Sequence, residues 1–139
     1  MLITVSSLAA FYPMPVKATY AASKRFLLDF FCALKEELCP ENVSVTVLCP
    51  AGLPTTPAAI QGMELQGFWG RVTAVETGTA AAGTFDHALQ GHFLYIPGLV
   101  NRFFRRASSV VPPAWLAAYI AWRWRNNKRS ANKTQELVS

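Results

Sequence analysis

Acidic side chains are nearly missing from the carboxyl-terminal part of this sequence. Residues 101–139 hold eight lysines and arginines against one acid, Glu136, a net of +7, while residues 1–100 hold five basic and seven acidic residues, a net of −2. Charge is scarce overall at 15% of residues, below the ordinary share of about 25%, which argues against a disordered chain. Cysteine is sparse too. Cys32, Cys39 and Cys49 form no CxxC pair, which leaves no disulfide framework or zinc knuckle and points to reduced thiols in the cytoplasm. The two histidines, His87 and His92, have no carboxylate or cysteine at ligand spacing, so no metal site is expected. No stretch approaches the roughly 18 consecutive apolar residues of a membrane span, and "MLITVSSLAA" has no secretory pattern. None of the eight glycines belongs to a G-x-G-x-x-G loop, so the chain carries no glycine-rich cradle for phosphates.

What is there suffices for one domain. The 139 residues are 52% hydrophobic, enough to supply a core. "LITVSS", residues 2–7, reads as a buried strand with a polar end. Between Lys17 and Leu38 apolar residues recur at helical spacing (Phe26, Leu27, Phe30, Phe31, Leu34, Leu38), and Cys39-Pro40 ends the run. "VSVTVLC", residues 43–49, alternates as a strand does and stops at "PAGLPTTP". A short helix near 58–67, a helix over 74–89, a strand over 92–98 and helices over 99–107 and 113–126 complete the pattern, with a disordered polar end after Lys128. Strand, helix, strand, helices, strand is the rhythm of a parallel α/β sheet, here of only about three strands.

The residues that draw attention are Tyr20 and Lys24, in "TYAASKRF". Four apart on a helix, they share a face, with small residues between them. A free phenol has a pKa of about 10, and a neighbouring cation favours its ionised form, as acid–base work at neutral pH requires. Alone, Y-x-x-x-K is as readily a half-buried tyrosine with a solvated lysine. Its neighbours sharpen it. Ser7 lies thirteen residues before Tyr20, at a strand's carboxyl end. The Pro50 turn, with Thr55 and Thr56 beyond it, follows the next strand. Ligands of open α/β sheets bind beyond the carboxyl ends of strands.

Taken in order, "ITVSS", "YAASK" and "VTVLCPAG…T" resemble the catalytic and carboxyl-terminal signature of the short-chain dehydrogenases/reductases. The resemblance spans about residues 2–125, including a tail "FLYIPGLVNRFF" similar to that of bacterial members with a basic extension. It implies the carboxyl-terminal half of a Rossmann-like, doubly wound parallel sheet, with the amino-terminal cofactor-binding half absent. It divides the chain into a catalytic half (1–98), a helical extension (99–128) and a disordered polar tail (129–139). It implies an oxidoreductase that uses NAD or NADP to move a hydride at a carbonyl or secondary alcohol. Tyr20 would be the acid/base, Lys24 would lower its pKa and hold the nicotinamide ribose, and Ser7 would orient the substrate oxygen, with Ser6 as a less well-spaced substitute. Pro50, Ala51 and Gly52 would wall the nicotinamide, where the family usually has Pro-Gly. Thr55 fits the family's threonine without a gap, and Thr56 fits with one inserted residue.

A second reading stays open: a non-catalytic remnant or interaction module that folds or acts only with a partner chain. Under either, a missing amino-terminal half or a second copy is the expected partner. Met63, Leu65, Phe68 and Trp69 fall where the family has its substrate flap, which implies an apolar substrate; they fit helix-core packing equally well. "WLAAYIAWRWRNNKR" sets aromatics beside arginines, a pattern suited to contact with an anionic membrane surface or to a helix with a solvated basic rim. No nucleic-acid motif accompanies it, so nucleic acid is not an expected partner.

Overall fold

The computed structural model describes residues 1–53 and 73–136, with side chains through residue 126. Three parallel strands, β1 (Leu2–Val5), β2 (Val45–Leu48) and β3 (Leu94–Tyr95), lie in the order β1-β2-β3. Leu2 pairs with Val45 and Val5 with Leu48, and Val47 and Leu48 pair with Leu94 and Tyr95. Helix α1 (Ala18–Leu38) connects the first two strands. Helix α2 (Thr77–Leu89) precedes β3, and α3 (Leu99–Ser108) and α4 (Pro113–Glu136) follow it. The three-stranded parallel α/β sheet is the architecture expected from the sequence. The strands are shorter than their apolar runs, and the expected helix at 58–67 lies outside the described residues.

Alternation along β2 sorts its side chains to two faces. Val47 and Cys49 join Leu28 of α1, Ala10 and Ile96 in one cluster. The Leu48 and Tyr95 side of the sheet meets α2, whose Gly83 lies against the Tyr95 ring, so that a Cβ there would land on the phenol. Helices therefore cover both faces, and every residue of β2 is buried. This is why "VSVTVLC" is apolar on its inward positions and still carries Thr46, whose hydroxyl donates to the His92 carbonyl at 2.8 Å.

Helix α1 forms where the periodicity placed it, but only part of its apolar surface is core. Ala21 and Leu28 are buried, whereas Phe26 and Phe30 stack on each other at 5.8 Å on the solvent side. Ala21 is small because the 3-10 turn Leu8–Phe11 packs against this part of α1. The helix passes at Cys39–Glu41 into a 3-10 turn closed by Asn42 in the left-handed conformation, φ 55°. At the far end of the chain α4 runs from Pro113 to Glu136. Residues 114–136 contain neither proline nor glycine, so nothing in them breaks a helix.

Candidate active site

Two backbone bonds zip together the segments leaving β1 and β2: Ser6 N–H donates to Leu48 O and Leu8 N–H to Pro50 O, both at 2.8 Å. Ser7 lies between them, buried, its Oγ accepting from Ala9 N–H at 3.1 Å as the cap of the 3-10 turn and lying 3.5 Å from Pro50 O. Ser6 Oγ donates to the backbone carbonyl of Lys24 at 2.7 Å, fixing α1 against the end of β1. From there the Lys24 ammonium donates to Val5 O at 3.2 Å and stands 5.9 Å from the centre of the Tyr20 ring. Tyr20 is 47% exposed, and its phenol has no hydrogen-bond partner among the described residues.

The fold thus gathers Tyr20, Lys24, Ser6 and Ser7 at the carboxyl end of β1, with Pro50 against Ser7. It does not join Ser7 to Tyr20 by a hydrogen bond; such contacts are often loose until substrate is present. Ala51 and Gly52 are half-buried, and Gly52 O accepts from Val75 N–H at 3.2 Å. Thr55, its alternative Thr56 and the apolar set Met63, Leu65, Phe68 and Trp69 lie outside the described residues. A cavity of about 470 Å³ lies elsewhere on α1, lined by Ala18, Ala21, Ala22 and Arg25 together with Tyr12 and Pro113. Helical geometry turns those positions away from the Tyr20 and Lys24 side, so this cavity is not where the phenol points.

Two residues at the site escaped sequence reasoning. Cys49 is fully buried at the end of β2 beside Ser6, Ser7 and Lys24. Burial pushes its thiol up to about 11, against hydrogen bonds from the Ser6 side chain and the Ser7 backbone and the Lys24 charge, which pull it down. Strand alternation set Cys49 on the same side as Val45 and Val47 but did not show what would cover it. Asn101 is 1% exposed and donates to Thr73 O at 3.1 Å and to Pro97 O at 2.8 Å, tying the return of the chain at 73 to the end of β3. Nothing in "LVNRFF" signalled that role.

The Cys49 environment has a consequence for stability. The unfolded thiol ionises near 9.0 and the folded one near 11, so the native state holds the extra proton in that window. Stability falls as pH rises from 9 to 11, by up to about 1.4 kcal/mol per pH unit. Urea melts of the parent and of Cys49→Ala across that range measure it; the variant's decline is expected to be shallower. Equal slopes would show that Cys49 is not the group responsible.

A sequence profile described as short chain dehydrogenase matches residues 1–64, the stretch that contains Ser7, Tyr20, Lys24 and Pro50. Over residues 1–64 the chain is a member of the short-chain dehydrogenase family. It is similar to the very-long-chain 3-oxoacyl-CoA reductase of Eremothecium gossypii, 32% identical over 107 residues that cover 68% of this chain and 30% of that protein. It is also similar to the hydroxysteroid 11-beta-dehydrogenase 1-like protein of Xenopus tropicalis, 43% identical over 61 residues, 43% of this chain and 21% of the relative. The chain spans less than a third of the length of these relatives.

Proposed function

We propose that the chain carries the catalytic portion of an NAD- or NADP-dependent oxidoreductase acting at a carbonyl or secondary alcohol. The observation that supports it most is the convergence of the Lys24 ammonium, the exposed Tyr20 phenol and the end of β1. Tyr20 holds the proton that passes to a carbonyl oxygen, or receives it from an alcohol. Lys24 places positive charge beside that phenol, and its N–H groups suit the hydroxyls of a ribose. Ser7, held against Pro50, would orient the substrate oxygen after giving up its weak 3.5 Å contact. Tyr20, Lys24 and the turn Pro50-Ala51-Gly52 fit the nicotinamide end of the cofactor, with Thr55 as the residue that the family pattern adds. When bound, the nicotinamide donates or accepts the hydride.

The proposal extends to the substrate, a carbonyl or alcohol borne on an apolar body. One relative is named for a very-long-chain 3-oxoacyl-CoA and the other for a hydroxysteroid. The apolar side chains Met63, Leu65, Phe68 and Trp69 suit such a body. A cytoplasmic location, with peripheral membrane contact, belongs to the same proposal; no helix among the described residues is long and apolar enough to cross a membrane.

A second reading, an interaction module that acts only with a partner chain, is favoured by one feature. Among the described residues β1 has a neighbour on one side only, Val5 is 51% exposed, and Phe26 and Phe30 present a stacked aromatic pair to solvent. An amino-terminal half or a second copy would cover such surfaces. Thermal melts with saturating NADH and NADPH, paired with an assay of reduced-nicotinamide consumption on an apolar ketone, separate the readings. Upward shifts with one cofactor, about 2.7 kcal/mol at a hundred times Kd, together with turnover support the enzyme. A folded protein indifferent to both, alone and with its amino-terminal half supplied, supports the module.

A further inference from the structure

Helix α3 is turned the wrong way round for a helix packed on a protein core. Along its wheel Leu99, Val100, Phe103, Phe104 and Ala107 occupy one side, and Asn101, Arg102, Arg105 and Arg106 the other. The polar side is the one that meets the body. Asn101 is buried, Arg102 Nε donates to Ile96 O at 3.0 Å, and the Arg105 guanidinium stacks 4.4 Å above the Phe11 ring. The apolar side faces outward, with Leu99 79% and Phe103 69% exposed. The connection to α4 continues it, Val110 being 83% exposed. On α4, Trp115, Tyr119 and Trp122 recur at helical spacing and are all exposed, while Trp124 turns inward to the Lys17 ammonium at 5.8 Å.

Residues 99–126 therefore offer leucine, valine, phenylalanine and two tryptophans to solvent, and they contain five arginines and no carboxylate. We propose that α3, the Val110 connection and the first turns of α4 form a docking surface for a membrane bearing anionic phospholipid. Charge complementarity selects the occupant. A second copy would bring this basic surface against itself, whereas acidic headgroups neutralise the exposed Arg106 and Arg125 beside it. Tryptophan and tyrosine side chains sit at the boundary between headgroup and acyl chain, and leucine and phenylalanine enter just below it. The surface lies on the membrane and does not cross it, in keeping with the absence of a span among the described residues. This inference is independent of the catalytic assignment.

The test is co-sedimentation of the 139-residue chain with vesicles of phosphatidylcholine alone and of phosphatidylcholine mixed with phosphatidylglycerol. The expected result is at least about tenfold stronger partition into the anionic vesicles, lost progressively with salt. A blue shift of tryptophan emission should accompany uptake. Leu99→Ser with Phe103→Ser is expected to weaken partition about tenfold or more. Arg123→Gln with Arg125→Gln, which spares the apolar side, is expected to remove most of the preference for anionic vesicles. Far-ultraviolet circular dichroism establishes that each variant is folded, and quenching of the parent's tryptophans by brominated lipid provides a readout that needs no variant. No uptake by either vesicle, uptake indifferent to headgroup charge, or no quenching would overturn the proposal. So would a stable dimer dissociated by the Leu99 and Phe103 changes in a chain that ignores vesicles.

Discussion

Replacing Tyr20 with phenylalanine is expected to lower turnover by about 10²–10⁴-fold, the range that a positioned acid or base contributes. The change deletes one hydroxyl and keeps the ring. That ring is 47% exposed and its hydroxyl bonds to no described residue, so the fold has nothing to lose. Unfolding midpoints should agree between parent and variant, and KM for the cofactor should move far less than kcat, because the ring that would meet the nicotinamide end is kept and the missing hydroxyl would act on the substrate oxygen. Steady-state kinetics on the intact enzyme measure the effect. Turnover within a few-fold of the parent would remove Tyr20 from the chemistry and leave the Lys24 contact as a structural one.

Lys24→Met is expected to differ in kind. Its ammonium touches Val5 O and stands over the Tyr20 ring, so its loss takes away a charge beside the phenol and a donor at the cofactor position. A fall in kcat of at least about 10²-fold should come with a rise in cofactor KM, unlike Tyr20→Phe. Lys24→Arg separates the two effects, since guanidinium keeps the charge but has a different reach and donor geometry. A lysine role confined to holding α1 against β1 would appear as lower stability with kcat unchanged. The backbone bond from Ser6 Oγ to Lys24 O survives every substitution at position 24, so α1 should stay in place.

How much of this was legible in the sequence depended on what each pattern encodes. The alternation in "VSVTVLC" and the Pro50 stop specified β2 because strand period and turn chemistry are local properties. Helix α1 was equally legible as a helix, but its facing was not. Phe26 and Phe30 have the same periodicity as core residues, and only the position of the 3-10 turn over Ala21 decides that they lie outside. The pairing of Tyr20 with Lys24 followed from helical spacing, and Ser7's place at the end of β1 from the strand before it. The neighbours of Cys49 were hidden because they arrive from β1 and α1, far away in the chain. Asn101 was hidden for a like reason: its partners, Thr73 O and Pro97 O, are backbone atoms that no side-chain pattern announces. For α3 the sequence marked a helix over 99–107, but which side meets the body depends on Phe11, far away in the chain.

The bonds from Val75 N–H to Gly52 O and from Asn101 to Thr73 O have a bearing on how such proteins diversify. They clamp the two places where the chain leaves and rejoins the sheet, on either side of residues 54–72. Whatever is spliced between the clamps changes the closing entropy only slowly with length, about 0.6 kcal/mol for each doubling. Segments of different length and composition could be exchanged there without re-registering β2 or moving Tyr20 and Lys24. The clamps let the sequence between them change while the platform that carries Tyr20 and Lys24 stays fixed.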